Sequence, residues 1–560
     1  MTDRPAATHG NETPPDARSW VLGSLVLLVL CFLVGLGSFD LSAPDEPRYA
    51  LVAREMIDEG HWLFLHRNDQ PYAHKPPLFF WSIAILSLLN GGEVNAWTAR
   101  LPSALSAIAL LVLVALWAGD GRKERPLGLV TAMVLGTGFT FMLQAHRAQI
   151  DLLLCLLTTA SLCHAYRDIR CRDAQRPWVT GLLWGLAVLA KGPVGYLVPA
   201  GALALYLLVS EDRKLRDFPV RALLWGLLPP ALWLAGLLVE SALTQQWSYV
   251  QSLVFKQTVV RYFHAWHHHQ PFYYFLRVLL TDFFPWSPLL LLSLPYGKRA
   301  WRHLDEKQRF SLAMILFTLV FFSVSKGKRN IYILPLYPFA AYLVARFIHP
   351  WRLNPHVRMG MAWAALPLAL LGLGLFGAAM GWFAIPALED TGLVIPAMGL
   401  GLFALPMGCC GLAALMCIRL RRTKPAFGLI FASVVLLNLM VWQVLLPWIA
   451  PVRSARLFME DVNRIVTPAD PERPVGMVQF RAAYRFYGQR PLVELKTPDP
   501  EFPHLPSLED FLNDHPRGWV IVREEHFEQY PEDLRARLHP YVERRVSNKR
   551  MLLLGTVAPK

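Results

Sequence analysis

Fourteen apolar runs divide most of this 560-residue chain: 20–38, 77–91, 96–118, 127–145, 151–166, 178–190, 193–210, 219–241, 276–296, 310–325, 331–348, 359–385, 392–418 and 426–449. Nothing else in the sequence constrains the fold as strongly. A helix crosses the hydrocarbon core with about 20 apolar residues, and there every backbone N–H and C=O must be satisfied within the segment. Composition agrees. Hydrophobic residues make up 54% and charged residues 17%, against roughly 25% charged in a soluble globule. The expectation is an α-helical polytopic membrane protein. The net charge of +14 then reads as membrane topology and not as a nucleic-acid partner, because cytoplasmic loops carry excess Lys and Arg.

Loop charge sets the number of crossings. Six connections are basic, and they contain Arg122/Lys123/Arg125, Arg167/Arg170/Arg172/Arg176, Arg213/Lys214/Arg216/Arg221, Lys298/Arg299/Arg302/Lys307/Arg309, Arg346/Arg352/Arg358 and Arg419/Arg421/Arg422/Lys424. They fall on one side of the membrane only if 77–91 does not cross. That run is short, and it lies between Lys75-Pro76-Pro77 and Asn90-Gly91-Gly92, so it reads as an interfacial or re-entrant helix. About thirteen transmembrane helices remain. The N-terminus is expected in the cytoplasm and the C-terminus outside it. Residues 1–18 are expected to be a disordered cytoplasmic tail, 19–450 the transmembrane domain, and 451–560 a small periplasmic α/β domain. In that last region strands are expected at 474–480, 491–495, 518–523 and 549–555, and helices at 453–466, 481–487, 507–514 and 525–538. The seven cysteines, Cys31, Cys155, Cys163, Cys171, Cys409, Cys410 and Cys417, lie in or beside apolar runs and read as small buried hydrophobes.

Two outer loops, 39–95 and 242–275, are longer than ordinary connections and therefore candidate functional segments. Ionisable groups beside the membrane core are costly, which makes them functional candidates by default. Asp45 and Glu46 precede Pro47, Arg48 and Tyr49 at an expected helix start, where carboxylates are favoured. Asp151 closes the short outer loop 146–151 in the same way. Two acidic positions at outer helix starts suggest one site at the membrane surface. Basic residues gather on that side too: Lys75, Lys191, Arg261 and the run Lys326-Gly327-Lys328-Arg329. Cations on the outer side run against the charge rule, so they imply an anion such as a lipid phosphate. His264 and His268, with His74, are metal-ligand candidates for a divalent ion; the competing reading is a polar, aromatic interfacial loop. The chain has no D-x-D, no G-x-x-x-x-G-K-[ST] and no H-E-x-x-H, so a nucleotide-sugar enzyme held by a metal, a P-loop ATPase and a zincin are disfavoured.

Several motifs resemble a known family. Asp-Glu-Pro-Arg-Tyr (45–49), Tyr-x-x-Lys-Pro-Pro-Leu (72–78), Ala-Arg-Leu-Pro-Ser-Ala-Leu (99–105), Lys-Gly-Pro (191–193) and Tyr-Ile-Leu-Pro (332–335) resemble bacterial glycosyltransferases related to protein O-mannosyltransferases. Among these they are most similar to the branch that transfers 4-amino-4-deoxy-L-arabinose to lipid A. The resemblance covers about 20–450. It departs at His74, where that branch usually has an acidic residue before the loop lysine.

The resemblance implies a C-type glycosyltransferase fold, an outer-face active site and an undecaprenyl-phosphate sugar donor. The acceptor it implies is lipid A, with protein Ser/Thr or another glycan as alternatives. No cofactor is implied as required. In this reading Asp45 is the main catalytic carboxylate, with Glu46 beside it, and Asp151 positions the donor or Arg48. Lys75, Arg261, Tyr332 and Lys191 hold the donor phosphate, and Arg48, Tyr49 and Lys328 support them. A polyprenyl-lipid transporter is the rival class. Transporters generally show paired halves, and no internal repeat is visible here.

Overall fold

The computed structural model describes residues 15–121, 123–171, 175–210, 214–245, 247–251, 253, 270–294, 303–325, 327–349, 351, 354–383, 394–466, 473–488, 490–497 and 505–557. Among these, seven helices are long and apolar enough to cross a membrane, and nine segments qualify if each of two sharply bent pairs is one span. Shorter apolar helices, including Pro177–Lys191 and Val194–Val209, pack among them. The chain is a multi-span helical membrane protein.

Helix lengths follow from the apolar runs, with instructive exceptions. The run 77–91 forms only Leu78–Leu88. Eleven residues at about 1.5 Å each fall well short of a bilayer core. The runs 127–145 and 276–296, expected as single spans, are broken. Arg125–Gly136 turns by 74° into Phe139–Ala145, and Tyr274–Asp282 turns by 117° into Ser287–Ser293. The two breaks are bonded to each other: the Phe139 N–H donates to the Phe284 carbonyl at 2.9 Å. The Trp286 indole likewise donates to Thr137 Oγ1 at 2.9 Å. The backbone groups freed by each bend are thus paired inside the bundle. The first helix, Pro15–Leu33, begins inside the stretch expected to be disordered.

The loops sort onto two ends of the bundle. At one end the segments around 39–95, 146–151, 191–192 and 327–332 meet. At the other, Lys307 reaches the Trp117 carbonyl and Glu124, Arg346 pairs with Asp305, Arg170 pairs with Glu306, and Thr423 reaches the Trp351 carbonyl. This is the same partition that alternating loop charge implied.

Beyond the last membrane helix the chain builds a five-stranded sheet. Two short strands precede it in the 39–95 loop: β1 (His66–Arg67) and β2 (Gln70–Pro71), an antiparallel hairpin. The sheet comprises β3 (Val475–Val478), β4 (Leu492–Leu495), β5 (Trp519–Arg523), β6 (His539–Val546) and β7 (Lys549–Gly555), in the order β4-β3-β5-β7-β6. The strands β4, β3 and β5 are parallel, whereas β7 is antiparallel to both β5 and β6. Alternation divides its core. Trp519, Ile521, Met551 and Leu553 face one cluster; Val520, Val522, Leu552 and Leu554 face another. β6 was not anticipated, and the helix expected at 525–538 is two short pieces, Glu524–Phe527 and Glu532–Ala536. Of the cysteines, Cys31, Cys155 and Cys163 are buried as expected, but Cys171 and Cys409 are exposed.

Candidate active site

Asp45 opens the helix Asp45–Glu59. That helix lies on the Leu78–Leu88 helix through Tyr49, whose ring sits edge-on to Phe79 and Phe80 at 5.8 and 5.4 Å. Its apolar side therefore fixes the orientation of its first turn. Asp45 is 8% exposed. Arg329 Nη2 donates to Asp45 Oδ2 at 3.0 Å, Gln149 Nε2 makes a long 3.5 Å contact to the same oxygen, and Arg48 Nη1 lies 3.6 Å from Oδ1.

Asp151 opens the next carboxylate-headed helix, Asp151–Arg170. The Lys191 ammonium donates to its Oδ1 and stands 4.5 Å from the centre of the Tyr332 ring. Lys191 is aimed by the turn that follows it: Gly192 has φ +83°, a conformation that glycine adopts without steric cost. Both Asp45 and Asp151 act on the Arg329 guanidinium. Burial, reinforced by the charges of Asp45 and Asp151 among others, pushes the Tyr49 hydroxyl well above its usual range. The hydroxyl therefore stays neutral.

Glu46, expected as a catalytic group beside Asp45, has both carboxylate oxygens taken by donors of the protein itself. Arg100 Nε and Nη2 each donate to it at 2.9 Å, one to each carboxylate oxygen. The Ser42 and Ala148 N–H groups donate at 2.7 and 2.8 Å. Burial raises the Glu46 carboxyl, but the Arg100 charge and these hydrogen bonds outweigh it and leave the pKa lowered. Arg100 also donates to the carbonyls of Leu36, Phe39 and Asp40 and lies over the Phe39 ring at 3.8 Å. Every oxygen of Glu46 is engaged. The pair clasps the 36–46 loop to the 146–151 loop and so holds Asp45 near Asp151.

The other sequence candidates divide. Arg48 contacts Asp45, not Asp151. Lys328, expected to support the phosphate-holding residues, is buried; its ammonium donates to the Ser325 and Gln270 carbonyls. On the other side of Arg329, Asn330 Nδ2 donates to Asp282 Oδ2 at 2.9 Å. The turn is pinned at 328 and 330, and Arg329 is what it presents to Asp45. Lys75 is half-buried at the start of the Leu78–Leu88 helix. His74 is exposed with its ring 5.1 Å from Tyr72. Arg261, His264, His268 and Lys326 lie outside the described residues.

Sequence reasoning missed Arg100 and the pair His146–Trp442, and it named Arg329 only as one member of a basic run. Arg100 had a signal, a charge inside an apolar run. His146 stacks on Trp442 at 4.3 Å and 11°, and its ring nitrogens meet the Cys31 and Met142 carbonyls. Trp442 is the second residue of a π-helical turn, Val441–Leu445, and also stacks on Phe39. Such turns are frequent at functional sites.

The arrangement comprises two carboxylates at helix starts, each paired with a partly accessible cation, at one end of a helical bundle. It suits an anionic substrate bearing a group to be transferred.

Comparison with known proteins gives this geometry a context. The family described as dolichyl-phosphate-mannose-protein mannosyltransferase matches residues 74–239. An uncharacterized protein of Aquifex aeolicus is 26% identical over 363 residues, 63% of this chain and 69% of that one. The undecaprenyl phosphate-alpha-4-amino-4-deoxy-L-arabinose arabinosyl transferase of Pectobacterium carotovorum is 30% identical over 371 residues, 63% of this chain and 65% of its own length. The similarity thus spans slightly less than two thirds of that transferase. The fold is similar over nearly the whole chain to ArnT from Cupriavidus metallidurans bound to undecaprenyl phosphate, with TM-score 0.75, 20% identity, and coverage of 96% of this chain and 98% of that one.

Proposed function

We propose that this chain is an integral-membrane inverting glycosyltransferase of the bacterial inner membrane. It takes 4-amino-4-deoxy-L-arabinose from undecaprenyl phosphate and passes it to lipid A. The observation that carries the reading is the pairing of Asp45 with Arg329 and of Asp151 with Lys191 at one end of the bundle, on a fold similar to ArnT along its length. Membrane lipids surround the bundle, and nucleic acid has no part in it.

In this reading the acceptor oxygen attacks the sugar's anomeric carbon from the face opposite the phosphate. As that bond forms, the bond from the anomeric carbon to the phosphate oxygen breaks, and undecaprenyl phosphate leaves with the electron pair. Lys75, Arg261, Tyr332 and Lys191 hold the phosphate, and Arg329, paired with Asp45, adds a further positive charge. Fixed cations beside an oxygen that gains charge stabilise the transition state more than the ground state. Asp45 takes the proton of a hydroxyl acceptor, or orients the sugar when the acceptor is an already ionised phosphate. Asp151 orients Lys191. Glu46 positions Asp45 through Arg100.

Thirteen crossings follow if the two broken pairs, the helix Asp151–Arg170 and the shorter apolar helices other than Leu78–Leu88 also span. The N-terminus is then cytoplasmic, and the sheet after 450 is a periplasmic domain on the same side as Asp45.

Mass spectrometry of lipid A from cells with and without the gene tests the function. The expected result is a 4-amino-4-deoxy-L-arabinose adduct that depends on the gene and disappears in Asp45→Asn. Unchanged lipid A, with sugar lost from protein Ser or Thr instead, would replace this acceptor by a protein.

A further inference from the structure

We propose that Glu55, Glu59 and Asp69 form a binding site for a hard divalent cation of the Ca²⁺ class, at the junction of the 39–95 loop with the C-terminal sheet. Each residue offers one carboxylate oxygen, and the three lie within 4.8 Å of one another. No other such group of three occurs among the described residues.

The independent pointer to a ligand is Glu55. It is only 2% exposed. Its Oε1 accepts the Asn68 backbone N–H at 2.7 Å, while Oε2 is buried with no hydrogen-bond donor. Leaving a buried polar atom unpaired costs on the order of 1–3 kcal/mol, and more when it is charged. Here two further carboxylates stand beside it. Glu55 and Glu59 are also four apart near the C-terminal end of their helix, where like charges repel and the helix dipole disfavours anions. The cations at hand are His61, whose Nε2 is 3.2 Å from Glu59 Oε2, and Arg485, which acts on both glutamates. Neither donates to Glu55 Oε2. A metal ion among the three carboxylates supplies the missing positive charge.

Ligand chemistry selects the class of ion. The donors are all carboxylate oxygens, which suit hard cations. Ca²⁺ takes six to eight oxygens in a flexible geometry, whereas Mg²⁺ demands a near-ideal octahedron and gives up its waters reluctantly, so three carboxylates on a helix end and a hairpin turn suit Ca²⁺ better. Glu59 and Asp69 are exposed, which leaves room for water ligands.

The position suggests what binding does. Asp69 sits in the turn of the β1–β2 hairpin, with Asn68 and Asp69 at φ +58° and +61°, the backbone of a tight two-residue hairpin turn. Asn68 exchanges hydrogen bonds with Leu492 of β4, and Arg67 pairs with Glu494. The ion would join the end of the Asp45–Glu59 helix to the hairpin that grips the sheet.

The test uses the full chain in detergent, treated with chelator and then titrated with CaCl₂ alone, followed by thermal unfolding and calorimetry at pH 7.5. One saturable site is expected, with Kd of order 10⁻⁵–10⁻³ M, a raised Tm, and a weaker response to MgCl₂. Glu59→Gln/Asp69→Asn alters only exposed carboxylates, so it should stay folded and bind Ca²⁺ at least tenfold more weakly. Glu55→Gln should lose binding yet be more stable than the wild type without cation. No Ca²⁺-dependent shift in the wild type, with stabilisation only on acidification, would show that a proton neutralises the cluster and overturn the proposal. An equal shift in the double variant would overturn it as well, by placing the ion elsewhere.

Discussion

The two ends of the helical bundle both carry ion pairs, but they are built differently. At the end bearing Arg346–Asp305 and Arg170–Glu306, the partners are 39%/39% and 43%/25% exposed. At the other end Arg100 and Glu46 are 0% and 2% exposed, and Lys191 and Asp151 are 14% and 8%. Exposed pairs gain little, with a median near 0–1 kcal/mol. Buried pairs bear a desolvation cost, and removing one partner leaves the other uncompensated. A chain that concentrates such costs at one end has a use for charge there. Within that end the cations divide the roles further: Arg100 is closed to ligands, whereas Arg329 is 37% exposed and faces Asp45.

The largest effect expected from disturbing this contrast is on chemistry. Asp45→Asn should lower turnover by roughly 10²–10⁴-fold, the range for an acid–base group, with an unchanged melting temperature. Steady-state kinetics beside a thermal unfolding curve check both halves. Near-normal turnover would move the catalytic carboxylate elsewhere.

Next comes the closed pair. Arg100→Ala strands Glu46 and three backbone carbonyls, and should destabilise by about 3–5 kcal/mol, seen as a lowered Tm and poor yield. A fully stable Arg100→Ala protein would contradict the scaffold role given to this pair. Acid should act on the same pair. The Glu46 carboxyl is lowered in the folded chain, so its contribution is complete above its ordinary value of 4.5 and is lost as pH falls through the lower folded value. The melting temperature of wild type should therefore fall more steeply below pH 4.5 than that of Glu46→Gln, and parallel curves would remove Glu46 from the account.

Lys191→Ala and Lys75→Ala should each cost about 2–4 kcal/mol of transition-state stabilisation, like loss of an oxyanion-hole donor, measured as kcat/KM. Smallest is Arg346→Ala at the opposite end, expected to change stability by less than about 1 kcal/mol and to leave turnover alone. A large loss there would erase the distinction between the ends.

Much of this was legible before any coordinates. Spans announce themselves because lipid demands uninterrupted apolar helix, and Asp45 and Asp151 stood out because each is a charge where such a helix begins. The breaks in 127–145 and 276–296 were not legible, since each is stabilised by the other, which lies far away in sequence. Strand β6 was hidden by Pro540 and the paired Arg544-Arg545, which interrupt its alternation. The difference between Lys328 and Arg329 was hidden for a related reason. Adjacent basic residues look equivalent in sequence, and only the pinned turn decides which one is buried and which reaches Asp45. Glu46 likewise gave no sign that Arg100, inside an apolar run, would consume it.

The hairpin's grip on the sheet also has a consequence in time. Asn68 waits for Leu492, a residue 424 positions later, and the Leu41 N–H waits for the Tyr487 hydroxyl. Arg54 waits for the carbonyls of Arg485 and Phe486. During synthesis the loop that carries Asp45 emerges early and cannot complete its contacts until the ribosome has finished almost everything else. Premature termination anywhere before the sheet therefore leaves an inserted bundle with an unfinished site.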